Sequence, residues 1–238
     1  MSAEQYQVNP KAKSHIKLVG KSQTPVIVID DFMLDPDSAI AHACEFGQFN
    51  LANTYYPGNR AKLPRNYVIS VIQSVYPMIE KLYKIPLNLK LQPQATYYSL
   101  ITKQPAELQL LQRMPHFDSV TPFYFAVLHY LNPAPHGDTG FFRHIPTQFE
   151  YVSPERENIY FESASSYVKQ HGEPDAKYCV KTEGQFELYD HLEYRENRLV
   201  IYPGWLLHSC LVNQGNDIDS NPSTGRLTAN IFIDFLKG

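Results

Sequence analysis

Residues 113–120 read RMPHFDSV, and His116 and Asp118 stand two positions apart in this short run among apolar neighbours. In an extended strand, side chains two apart project from one face, so the imidazole and the carboxylate are aimed at a single point. An unpaired carboxylate facing a core is costly and demands a cation, a hydrogen-bond network or a metal. The sequence on either side of this pair sets the fold that would carry it.

Around the pair, from about residue 91, the chain is written in short strand-like runs. These are LQPQATYYSLIT (91–102), TPFYFAVLHYLN (121–132), FELYDHLEYRENRLVIYP (186–203) and GRLTANIFIDFL (225–236), separated by Pro, Gly and Asn clusters. Upstream the texture differs. TPVIVIDDF (24–32) reads as a buried strand, and DPDSAIAHACEF then offers Asp35 as N-cap and Pro36 at the first helical position, predicting a helix over about 36–47. YYPGNRAKLPRN (55–66) reads as a loop, and Val68, Val71, Ile72, Val75 and Ile79 follow at helical spacing. Helices early and strands late define an α+β class. The expected organisation is one domain over 1–238. Residues 1–24 are irregular, 25–90 supply a strand and supporting helices, and 91–238 form the strand core, with an insertion at about 143–190 holding one possible helix, SASSYVKQHG (163–172).

Composition narrows the function classes. With 43% hydrophobic and 19% charged residues the chain can bury a substantial core. A net charge of −3 provides no basic stripe for phosphate backbones or anionic lipid, so nucleic acid and membrane are not expected partners. No run approaches the roughly 20 apolar residues of a membrane span, and the N-terminal sequence lacks the apolar centre of a signal peptide. A cytoplasmic location is the expectation. Cys44, Cys179 and Cys210 are far apart and without CxxC spacing, which fits small buried hydrophobes rather than a disulfide framework.

A second histidine changes the weight of the first pair. NRLVIYPGWLLHSC (197–210) is a strand, a Pro-Gly turn and an apolar return ending in His208. Two histidines and one carboxylate can occupy one face of an octahedral iron(II), leaving positions open. Beyond it, Arg226, Thr228 and Asn230 alternate with Leu227, Ala229 and Ile231. A buried arginine on such a strand needs an anion, and its planar fork suits a carboxylate, with the Thr228 hydroxyl as a further donor.

Taken together, PHFD, YPGWLLHS and GRLTANIFI resemble, in order and local context, the iron(II)/2-oxoglutarate-dependent dioxygenases. AVLHYLNPAPHGDTGFF (126–142) is similar to the strand and turn that follow His-x-Asp in that family, and VIVIDDFMLDPDSAI (26–40) resembles the opening of its prolyl-hydroxylase-like members. The resemblance spans about residues 26–236. It implies a double-stranded β-helix, a cupin-like jelly roll with helices packed on one sheet. His116, Asp118 and His208 would hold Fe(2+) as the catalytic centre, Arg226 and Thr228 would hold 2-oxoglutarate, and O2 would be consumed. Tyr98, on the strand preceding the metal pair, would be the phenol that contacts the cosubstrate. Hydroxylation of a small molecule or peptide, with release of succinate and CO2, is the implied outcome; Asp118 occupies the ligand position that halogenating relatives lack. Two spacings are longer than in compact members: 90 residues from Asp118 to His208 and 18 from His208 to Arg226.

The remaining polar residues divide by context. His136, Arg143 and His144 flank the Gly-containing turn and are the candidates for contact with substrate. His129 lies in an apolar strand and reads as a core or pocket-wall group. Arg60 and Arg65 fall in the loop before the second helix, where approach to the site and plain solvation are both open. The main rival to an enzyme is a non-catalytic jelly-roll module that binds a sugar or peptide in the same cavity; a cupin-type metalloenzyme without an oxoacid cosubstrate ranks below it.

Overall fold

The computed structural model describes residues 6–51, 55–133 and 135–238. Strands β1 (Lys13–Val19) and β2 (Thr24–Asp30) form a hairpin, closed by Gly20 and Gln23 at positive φ. Expected to be irregular, residues 13–19 instead pair with β2 along their whole length. β1 is the edge of its sheet and most of its side chains are exposed, so its composition carries no apolar alternation to reveal it. Helix α1 (Asp37–Phe46) begins as the sequence predicts: the Ser38 amide donates to Asp35 Oδ1 at 3.3 Å, and Pro36 opens the first turn.

Strands β3 (Asn50–Leu51) and β4 (Gly58–Lys62) follow, so the stretch read as a loop before the second helix is in part a sheet strand. Helix α2 (Arg65–Tyr83) buries Val68, Val71, Val75 and Ile79 on one face. Next come β5 (Leu89–Ile101), β6 (Phe125–Tyr130) and β7 (Thr139–His144), then helix α3 (Glu157–His171), and finally β8 (Phe186–Leu192), β9 (Leu199–Pro203), β10 (His208–Cys210) and β11 (Thr228–Lys237).

Two antiparallel sheets result. The larger has the order β1-β2-β9-β6-β11-β5-β4-β3, and the smaller β10-β7-β8. Every residue of β6 is buried because the strand serves two cores at once. Phe125 and Val127 pack outward against α1 and α2, whereas Ala126, Leu128 and Tyr130 face the smaller sheet. A one-residue slip would exchange the two sets, and with each buried aliphatic side chain worth about 1.5–3 kcal/mol the register is firmly held. Helices α1 and α2 thus cover one face of the large sheet. The third helix packs elsewhere: Tyr160 of α3 joins Phe142, Phe186 and Leu207 beside the smaller sheet. Since β7 runs to His144 and β8 starts at Phe186, the segment carrying α3 is 145–185, and the flanks assigned to it from sequence belong to the sheet. No helix among the described residues is long and apolar enough to cross a membrane.

Candidate metal centre

The metal-ligand candidates are set by main-chain pairing. His116 lies opposite His208 as an isolated antiparallel bridge, and the two exchange N–H···O bonds of 2.9 and 2.8 Å. Two residues on, the Asp118 amide donates to Gly204 O at 2.7 Å. The strand expected over 113–120 is therefore only this one bridge: a short 3-10 helix ends at Arg113, and a turn through Ser119 and Thr121 follows. The two-residue offset still points both side chains the same way. Gly204 makes the approach possible, because a Cβ there would lie 2.5 Å from the Tyr124 ring and 3.2 Å from Asp118 Cβ.

One ligand atom each from His116, Asp118 and His208 falls within 4.8 Å of the others. His116 Nε2 is 3.9 Å from Asp118 Oδ1, and His208 Nε2 is 3.7 Å from Asp118 Oδ2. His208 Nδ1 donates to Leu206 O at 2.8 Å, which leaves the Nε2 lone pair directed at the cluster. The His116 side chain is 56% exposed at the rim of the cluster; desolvation on its inner side, with His208 and the Arg60 guanidinium, lowers its pKa, which favours the neutral ring that can ligate. Burial raises the Asp118 pKa against the opposing pull of His208 and Arg60. Its Oδ2 is buried with no hydrogen-bond partner. Two imidazoles and a carboxylate with an orphaned oxygen fit a divalent cation, whose charge supplies what the carboxylate lacks.

Arg226 is buried behind this cluster. Its Nε donates to Gly137 O at 2.8 Å, its guanidinium lies 5.5 and 5.4 Å from the ring centroids of Tyr130 and Tyr194, and one terminal nitrogen is buried without a partner. Thr228 stands two positions on and pairs across the sheet with Ser99 of β5 and Tyr130 of β6. Its hydroxyl accepts from Asn230 Nδ2 at 3.0 Å. The donor left over at Arg226, next to a threonine on the same sheet face, fits a carboxylate.

Tyr98 is a correction. It packs among the residues between the large sheet and the helices, and its hydroxyl donates to Ala39 O of α1 at 3.1 Å. Alternation along β5 places Ser99 on the site face and Tyr98 on the other. The tyrosine that does border the cluster, and that the sequence reading did not single out, is Tyr202 of β9. Its ring meets His208 edge-on at 4.9 Å, and its ionisation is opposed by burial and by Asp118 while Arg226 favours it. Only strand phase distinguishes Tyr202 from its neighbours in VIYPG, and that phase was not readable from an all-apolar run.

The three substrate candidates are held by the protein itself. Arg143 is buried and bonded to Glu150 through Nε and a terminal nitrogen, and to Glu187 through the other. Glu150 also accepts the Lys21 and Ser22 amides, closing the β1–β2 turn. Both ring nitrogens of the buried His144 are hydrogen-bonded, to Thr147 and Gln185. His136 donates to the fully buried Asp217 at 2.9 Å, and Asp217 also accepts from Gly137 and Asn213 amides. His136 is thus a buttress for the Gly137 carbonyl that orients Arg226. His129 is a core group, bonded to Tyr67 and Asn197 on the helix side. Arg60, by contrast, pairs with Ser99 of β5, the residue opposite Thr228, and so lies on the site face of the large sheet.

The model of a family described as of unknown function, DUF6445, matches residues 10–233. No curated protein matches the chain. Among solved structures, HygX from Streptomyces hygroscopicus with nickel and 2-oxoglutarate bound is similar at 14% identity, a TM-score of 0.46 and coverage of 91% of this chain and 87% of that one. HygX with iron bound gives 15% identity, a TM-score of 0.43 and coverage of 91% and 86%. The non-heme alpha-ketoglutarate-dependent epimerase SnoN from nogalamycin biosynthesis gives 10% identity, a TM-score of 0.46 and coverage of 89% and 78%.

Proposed function

Because this chain belongs to DUF6445, a family of unknown function, its activity is read from the site alone, and we propose that it is an iron(II)- and 2-oxoglutarate-dependent oxygenase on a double-stranded β-helix. The observation that carries the reading is the convergence of His116, Asp118 and His208 within 4.8 Å, with the Asp118 Oδ2 and an Arg226 terminal nitrogen both buried and unpartnered. An acceptor that lacks a cation and a donor that lacks an anion are the two halves a metal and a dicarboxylate complete. The two facing antiparallel sheets support the fold assignment.

In this reading His116, Asp118 and His208 would hold a ferrous ion, which when bound with 2-oxoglutarate and O2 would supply oxidative decarboxylation to succinate and CO2 and the oxidation of a substrate C–H bond. Arg226 and Thr228 bind the far carboxylate of the cosubstrate. The Gly137 carbonyl fixes the Arg226 plane, and the Tyr130 and Tyr194 rings exclude water from it. Tyr202, edge-on to His208, would border the bound cosubstrate. His208, with its Nδ1 proton committed to Leu206 O, stays in the ligating tautomer throughout. Asp118 would fill the third protein position and leave no place there for chloride, which disfavours halogenation; hydroxylation is the default outcome of this reading. Anaerobic protein given iron(II) and 2-oxoglutarate should develop a weak visible metal-to-ligand charge-transfer band; folded, iron-loaded protein without that band is a binding module instead.

A further inference from the structure

Arg60 is a cation on the site face of the large sheet that the proposed reaction leaves unused. It sits on β4 in register with Ser99 of β5, which in turn pairs with Thr228 of β11, so Arg60, Ser99 and Thr228 form one row on the site face of the large sheet. Its guanidinium lies 4.3 Å from the Tyr56 ring centroid and 5.5 Å from that of Tyr97. Its Nε is buried without a hydrogen-bond partner, and among the described residues no ion pair joins it to a carboxylate. A half-buried arginine stacked on aromatic rings and denied a counterion is poised for an external anion.

The space beside it has the matching character. A cavity of about 380 Å³ opens along β3 and β4, lined by Phe46, Gln48, Asn50, Arg60, Lys62 and Tyr97. Lys62 and Tyr97 are opposite one another in the β4–β5 ladder, two residues from Arg60 and on its face. Two cations, two aromatic walls and two amides line it, with no carboxylate. The cavity is within the lower range of small-ligand sites, and Arg60 belongs both to its lining and to the row that leads to Thr228.

We propose that this cavity seats the organic substrate, that the substrate is a small molecule bearing a carboxylate or phosphate on an apolar or aromatic body, and that Arg60 recognises its anionic group. The inference rests on the oxygenase reading, in which the cluster beside Arg60 is the reacting centre. It separates the two guanidiniums by role: Arg226 for the cosubstrate, Arg60 for the substrate.

The test is calorimetry on the full chain, anaerobic and loaded with iron(II) and 2-oxoglutarate, using phenylacetate, phenyl phosphate and the neutral phenylacetamide. At least one anion should bind tenfold or more tighter than the amide, and whichever anion is tighter identifies the group preferred. Arg60→Gln should erase the preference while keeping the charge-transfer band, and Arg60→Lys, which keeps the charge and serves if the first variant does not fold, should retain most of it. Amide binding as tight as that of the anions, no anion binding, or a preference that survives Arg60→Gln overturns the proposal. Anion preference dependent on Arg60 in protein that never shows the band keeps the anion site and sinks the oxygenase reading instead.

Discussion

His116 and His208, 92 positions apart in the chain, exchange both of their main-chain hydrogen bonds. Two of the candidate ligands are therefore placed by backbone register rather than by the ordering of a loop, and the third candidate, Asp118, is fixed by the next contact along, to Gly204. A site held this way exists before its ion arrives. Iron(II) or nickel(II) should accordingly raise the melting temperature of the protein, by an amount equivalent to about 2.7 kcal/mol at a hundredfold excess over Kd. His208→Ala and Asp118→Ala should abolish the shift, which differential scanning calorimetry reads directly.

Without metal, Asp118 is a liability. Its pKa is raised by burial, so the ionised form is penalised in the folded state; the penalty is absent below the ordinary carboxylate range and grows as pH rises through the raised value. Metal-free Asp118→Asn should therefore be more stable than the parent at pH 7, by about 1–3 kcal/mol, and equal to it in strong acid. Adding the ion should reverse the order. Urea titrations at two pH values, with and without nickel(II), measure all four states.

Gly204→Ala puts a methyl group 2.5 Å from the Tyr124 ring and 3.2 Å from Asp118 Cβ. The Asp118 backbone must move, because its amide bonds to the same glycine. Metal affinity should fall by roughly 10- to 100-fold, the scale of lost ligand support, while the fold persists. Equal affinities in a metal titration of the two proteins would show that the contact has no positioning role.

What the sequence revealed of this site follows from which signals are local. The aim of His116 and Asp118 depends only on their two-residue offset, and it is legible even though residues 113–120 form a bridge rather than a strand. Arg226 and Thr228 were legible for the same reason, on an alternating strand. Strand phase in an apolar run is not local: choosing Tyr98 over Tyr202 required knowing which face of β5 and β9 looks toward the smaller sheet, and both faces are buried. Nor is the fate of a polar side chain local. Arg143 and His144 look available in sequence because Glu150, Glu187 and Gln185, which bind them, are brought up only by the fold. Arg60 was hidden by turn residues on both sides of a five-residue strand.

Glu150 links the β1–β2 turn to the smaller sheet through Arg143 and the Lys21 and Ser22 amides. Burial opposes its ionisation, but these donors outweigh burial and hold its pKa down to about 2. A depressed carboxylate contributes stability that is full above its unfolded value and is lost as pH falls through the folded one. The window is pH 4.5 to about 2, and the contribution is about 3 kcal/mol. Glu150→Gln should lose stability of that order at pH 7, since Arg143 keeps only the half-exposed Glu187, and its stability should change less across the window. An unchanged acid limb in a series of denaturation curves would remove Glu150 from the account.

Arg226 makes the sharpest distinction between cosubstrate and metal. Its Nε bond to Gly137 and its place between Tyr130 and Tyr194 leave a buried terminal nitrogen with nothing to donate to. A hydrogen bond to a charged partner is worth about 1.5–3 kcal/mol, so Arg226→Leu should weaken 2-oxoglutarate binding by about 10- to 150-fold. Iron affinity should be unaltered, because Arg226 is not one of the grouped ligands. Arg226→Lys supplies a point charge without the planar fork and should fall between the two. The titration is read on the charge-transfer band at fixed iron(II). A band that saturates at the same 2-oxoglutarate concentration in all three proteins would assign the cosubstrate carboxylate to another cation, and Arg60 is then the residue to change next.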